Sequence, residues 1–108
     1  MQEAAFQPWG NTVLVTQGAV QSVTLNNQFA TSYRIRNVST TNAYVAWAAP
    51  LASGAAPAIT ATAPTVVTSV ANTIGMVASS VEVFRLPANV WFQASTGGTF
   101  EVTAGEGI

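Results

Sequence analysis

The sequence contains no cysteine, no histidine, no aspartate and no lysine. Without cysteine there is no disulfide framework and no thiolate chemistry. Without histidine and aspartate a Ser–His–Asp triad, a Cys–His pair and a histidine-ligated zinc site are all impossible. An aspartate-based calcium loop is missing too, although backbone carbonyls plus glutamate could still hold a weak calcium site. Without lysine, surface helices laced by Glu–Lys pairs are excluded. Charge of either sign is scarce: three basic and four acidic residues, 6% of the chain, give a net charge of −1. The average is near 25%, so this chain has little colloidal repulsion and a tendency to associate. It also lacks the basic field that nucleic acid or an anionic membrane would need. No apolar run approaches the roughly 18 residues of a membrane span. Met1-Gln2-Glu3 has no basic flank and no apolar core follows it, so a secretory leader is not expected and synthesis in a cytoplasm is.

What is present favours sheet. Nineteen alanines inflate the hydrophobic share, but the larger apolar set is fourteen valines with five Phe, three Trp and two Tyr, accompanied by fourteen threonines. Valine, threonine and aromatics are strand formers. The chain has room for one domain with a modest core.

The last third is the most informative stretch. Windows 81–86, 90–94 and 99–103 are β-branched and aromatic, separated by Pro87-Ala88-Asn89 and by Ser95-Thr96-Gly97-Gly98. Strands of about five residues between such breakers are the expected signal. Alternation puts Val81, Val83 and Arg85 on one side and Glu82, Phe84 and Leu86 on the other. Phe100 and Val102 likewise oppose Thr99, Glu101 and Thr103. Gly97-Gly98 can supply the positive φ of a tight hairpin, so 90–103 reads as a hairpin. A second hairpin is expected over 12–25, turning at Gln17-Gly18, with Asn26-Asn27 closing it. A third is expected over 32–48, turning at 39–42. In it Tyr33, Ile35 and Asn37 share one face, and Arg34 and Arg36 the other. In the returning strand Val45 and Trp47 oppose Tyr44 and Ala46.

Two stretches do not read as regular strand. Residues 1–10 hold Phe6 and Trp9 around Pro8 and read as an N-terminal arm ahead of a domain spanning 11–108. Those aromatics either plug their own sandwich or anchor on a neighbouring subunit. Residues 49–73 are rich in Ala, Pro and Thr, with Pro50, Pro57 and Pro64 seven apart. They exclude a helix and leave a long connection with at most short edge strands near 58–62 and 65–70. A connection of this length often has a function, such as reaching over a partner. The resulting expectation is an all-β, single-domain β-sandwich of seven to eight short antiparallel strands. Jelly-roll topology is favoured over immunoglobulin-like because the disulfide is absent.

No P-loop or GxGxxG motif occurs, and nothing calls for a cofactor or metal. Glu82 and Glu101 are the conceivable catalytic pair, yet each sits at ordinary strand spacing; no enzyme is expected. Trp47 and Trp91 could offer a sugar platform or fill the core. Arg34 and Arg36 form a small basic patch that suits either solvent or an intersubunit contact.

Three segments together carry a resemblance: RIRNVSTTNAYVAWA, then GM followed by SSVEVFRLPANVWFQA, then GGTFEVTAGEGI. Through Arg34, Ile35, Asn37, Val38, Gly75, Met76, Val81, Glu82, Phe84, Thr103, Gly105, Glu106 and Gly107, the chain resembles small virion structural proteins of tailed bacteriophages, of the head decoration or cement type. The resemblance covers most of 32–108. It implies a non-enzymatic subunit on the capsid surface, bound to the major capsid protein, as a homo-oligomer such as a dimer or trimer. The partner contacts then expected are Phe6, Trp9, Pro57 and Pro64, with Arg34 and Arg36 beside them. A tail or head-fibre module and a carbohydrate-binding sandwich are the alternatives.

Overall fold

A computed structural model describes residues 7–17, 21–22, 32–49, 51–59, 61–67, 69–87 and 89–106. These residues form eight strands: β1 (Gln7–Thr16), β2 (Gln21–Ser22), β3 (Ser32–Asn37), β4 (Ala43–Ala48), β5 (Thr73–Met76), β6 (Val81–Arg85), β7 (Trp91–Ala94) and β8 (Thr99–Glu106). One sheet has the order β1-β8-β3-β6 and the other β2-β7-β4-β5, with every pairing antiparallel. The pairs are nested: first with last, second with seventh, third with sixth, fourth with fifth. The all-β sandwich is therefore what the strand chemistry indicates.

The core lies between the sheets. β1, β3 and β8 contribute Val15, Tyr33, Ile35, Phe100, Val102 and Ala104; the facing sheet contributes Val45, Met76, Phe92 and Ala94. The Tyr33 and Phe92 rings meet edge to face, centroids 5.5 Å apart, and tie one sheet to the other. Such a contact adds roughly 0.5–1.5 kcal/mol to the area the rings bury. The Tyr33 hydroxyl is not stranded by this burial, since it donates to the Pro87 carbonyl at 2.9 Å.

The expected hairpins are corrected by the pairing. β1 pairs with β8, and Gln21–Ser22, the described part of the expected returning strand, pairs as β2 with β7; residues 18–20 and 23–27 lie outside the described residues. β3 and β4 lie in opposite sheets, and so do β7 and β8. The physical reason is visible at 95–98. Gly98 N–H donates to Ser95 O at 2.9 Å, and Gly97, the third residue of that turn, has φ +80°. Positive φ at the third position is the type II pattern. A two-residue hairpin needs positive φ at the second position, which matches the strand twist. The turn therefore throws the chain across the sandwich. The 77–80 turn repeats the device: Ser80 N–H donates to Val77 O at 3.1 Å, and Ser79 sits at φ 65°.

The expected arm is also corrected. Gln7–Gly10 open β1, which is an edge strand and so tolerates Pro8. The register slips between Pro8 and Thr12, and such a bulge together with the proline discourages further strand addition at this edge. Phe6 lies outside the described residues. Trp9 lies in β1. The short strands expected near 58–62 and 65–70 do not form among the described residues.

Asn37 is fully buried at the end of β3. Its Nδ2 donates to Thr41 O at 3.1 Å and to Met76 O at 2.9 Å. Its Oδ1 accepts from Ser39 N at 3.0 Å and from the Ser39 hydroxyl. Its backbone N–H donates to Ser80 O, and its carbonyl accepts from Ser79 N. Both donors and both acceptor positions of the amide are used. Asn37→Ala strands these partners in the interior and is expected to lower stability by about 2–4 kcal/mol in urea unfolding; Asn37→Leu, of the same branched shape, should not restore it.

Burial pushes the Tyr33 phenol above its usual value, partly offset by the Val90 and Asn89 backbone. The folded protein thus keeps a proton that the unfolded chain loses near pH 10. Stability is whole below that pH and falls as pH rises through it. Melting between neutral pH and about pH 11 should show this fall. Tyr33→Phe should be less stable by about 1 kcal/mol at neutral pH, yet flatter in the alkaline range.

Candidate docking surfaces

The two outer faces of the sandwich differ. On the β2-β7-β4-β5 sheet the outward row of β4 is Tyr44, Ala46 and Ala48, and Ala46 is only 2% exposed. The cover comes from the 51–71 connection. Ile59, Ala61 and Thr62 line one groove with Gln93, and Ala61 and Thr62 another with Tyr44 and Ser95. Pro57 and Ala61 are buried. Beside them Tyr44 lies over Gly75, where a Cβ would come within 2.9 Å of the ring. The long connection therefore packs first on its own sheet.

Beyond Ala61 the connection is exposed at Thr62, Ala63, Pro64, Thr65, Val66 and Val67. Val66 is 104% and Val67 89% exposed, above every other large apolar residue described. Two adjacent β-branched side chains held in water have no role in the sandwich's own core.

The outer face of the β1-β8-β3-β6 sheet carries the charge, with Ser32 and Thr103 buried among its exposed residues. Register places Leu14, Glu101, Arg36 and Val81 side by side, and Thr12, Thr103, Arg34 and Val83 in the next row. Arg85 stands opposite Ser32, one row further. All three basic residues of the chain thus share this face. Arg36 approaches Glu101 at 3.8 Å, with both side chains more than a third exposed. Such a pair contributes little. Among the described residues neither Arg34 nor Arg85 has an ionic partner. Thr12 and Thr103 join hydroxyls at 2.7 Å across β1 and β8.

The expected contacts therefore separate. Arg34 and Arg36 sit together on this sheet face. Pro64 lies in the same exposed stretch of the connection as Val66 and Val67. Pro57 is buried in its own chain and presents no surface to a partner. Phe6 lies outside the described residues. Strand alternation had placed Arg85 with Val81 and Val83, but only the long-range pairing of β6 with β3 brings it beside Arg34. Val66-Val67 carried a signal in the sequence, two adjacent valines among small residues with no alternation to bury them.

Glu82 and Glu101 do not converge. Glu101 points outward from β8 beside Arg36, while Glu82 alternates inward with Phe84 on the edge strand β6 and stays exposed. Among the described residues there is no cluster of three or more metal-ligating side chains. Trp47 is half-buried against the core, and Trp91 is half-buried on β7. The groove between Asn42, Tyr44, Thr62, Ser95 and Thr96 has a volume of ≈ 340 Å³ and no charged wall. No protein family, curated protein or solved structure matches the chain.

Because Val66 and Val67 have no packing of their own, replacing both with serine should leave the stability within about 0.5 kcal/mol of wild type in thermal unfolding. Arg36→Gln should likewise change stability by less than about 0.5 kcal/mol, a result a urea titration can read directly.

Proposed function

We propose that this chain is a non-catalytic structural subunit that decorates a virion capsid, binding the major capsid protein lattice and stabilising it as a cement protein. The observation that carries the reading is the exposed pair Val66 and Val67 in a connection whose base is anchored on its own sheet. A loop rooted in this way presents apolar contacts already ordered, so little entropy is lost on docking. Burying each valine in a partner is worth about 1.5–3 kcal/mol. Repetition over a lattice multiplies such modest contacts into firm attachment. The nested strand order supports a jelly-roll topology, eight strands in two sheets. The scarcity of charge supports a subunit that lives packed against others. The resemblance through Arg34–Val38, Gly75-Met76, Val81–Phe84 and the Thr103–Gly107 end supports a virion location. Homo-oligomerisation as a dimer or trimer on the capsid belongs to the same proposal.

A second reading is favoured by the uncharged, hydroxyl- and amide-lined groove at Tyr44: a module for neutral carbohydrate, with aromatic contact from Tyr44 rather than from Trp47 or Trp91. A tail or head-fibre module is the third.

Light scattering of the purified protein, followed by co-sedimentation with expanded phage heads, tests the main reading. Wild type should sediment with heads, and Val66→Ser/Val67→Ser should bind at least about tenfold more weakly without loss of fold. A stable monomer that ignores heads overturns it. Attachment to tails alone transfers the protein to the fibre reading, and quenching of intrinsic fluorescence by neutral sugars supports the groove.

A further inference from the structure

We infer that the outer face of the β1-β8-β3-β6 sheet is a second docking surface, and that its occupant is an extended acidic segment of a partner protein. This rests on reading the chain as a binding subunit, but it uses none of the residues of the Val66-Val67 stretch.

The geometry sets the occupant. Arg34 and Arg36 are two apart on β3 and so lie about 7 Å apart along it. Arg85, opposite Ser32 on the neighbouring strand, continues the line beyond Arg34. One two-residue step along and one strand across put it about 8 Å from Arg34. The three arginine positions on the backbone thus form a file some 15 Å long. Carboxylates on alternate residues of an extended chain repeat at the same interval of about 7 Å. Each can accept a paired, charge-assisted hydrogen bond from a guanidinium. Exposed Leu14 and Val81, at either end of the Arg36 row, add apolar contact beside the charges.

Two other occupants fit less well. A second copy of this chain cannot supply the matching file, because no two of its four glutamates, at 3, 82, 101 and 106, are two residues apart. A single-stranded nucleic acid would find phosphate partners, but the paired rows from Leu14 to Val81 and from Thr12 to Val83 hold no aromatic residue for its bases to stack on.

The test uses a fluorescent peptide of alternating threonine and glutamate, its glutamine counterpart, and a single-stranded oligonucleotide of equal charge. Binding is followed by anisotropy to about 1 mM at about 0.05 M salt. Wild type should bind the glutamate peptide and not the glutamine one, and higher salt should weaken the complex. Arg34→Gln/Arg85→Gln should weaken binding at least about tenfold while melting like wild type. Arg34→Lys/Arg85→Lys, which keeps the charge but not the fork, should fall between. Val66→Ser/Val67→Ser should bind the peptide as wild type does. Absence of peptide binding by wild type, undiminished binding by the glutamine variant, or tighter binding of the oligonucleotide overturns the inference. Loss of capsid binding in the valine variant with peptide binding intact supports both surfaces; failure of capsid binding in wild type with peptide binding intact removes only the capsid reading.

Discussion

The sandwich depends on how one end of it is tied. Three crossings between the sheets lie there: the 38–42 connection and the turns at 77–80 and 95–98. Asn37 joins the first two, reaching Thr41 and Met76 with its amide nitrogen and bracketing Ser79 and Ser80 with its backbone. Asn42 Oδ1 accepts from Ala78 N, and Ser95 closes a reciprocal pair with Tyr44. Without these bonds a buried amide and several turn carbonyls would face apolar surroundings. With them, the turns that leave each sheet are locked to one another, and the strand order follows. The tight fit at Gly98, where a Cβ would approach Ala43 Cβ to 2.9 Å, belongs to the same end.

This end also explains which parts of the fold were legible in the sequence. Face assignment was legible, because alternation is a property of each strand alone. Tyr33 and Ile35 inward, Arg34 and Arg36 outward, Phe100 and Val102 inward all follow from a period of two. Pairing was not legible. Gly97-Gly98 serves a hairpin or a crossing equally well in composition, and the choice rests on which residue takes positive φ. At 77–80 that residue is Ser79, which carries no glycine signal at all. Asn37 was visible as the polar member of an inward row, but its partners Met76 and Ser80 are some forty residues distant.

The candidate surfaces were legible to the same degree. The pair Arg34 and Arg36 needs only local spacing; the third arginine needs β6 to return beside β3. Pro57 and Pro64 looked equivalent at seven-residue spacing, yet one is packed inward and the other lies in the exposed stretch. Composition describes a long connection but not where it comes down. That is settled by Ala46 and Gly75, small residues on an outer face that leave room for a cover.

Scarce charge makes the placement of charge informative. In a chain with seven charged residues, a sheet face that gathers all three arginines and places a single glutamate among them is not a statistically solvated surface. The connection packs on the other sheet and leaves Val66 and Val67 exposed. On the proposed reading the valine pair serves apolar contact and the arginine face receives paired carboxylates. A small rigid body with two surfaces of different chemistry can join neighbours that differ from each other. A body with a single sticky face can only coat them. The nested strand order makes such a division possible, since every short connection crosses between the sheets and leaves both outer faces free to be written independently.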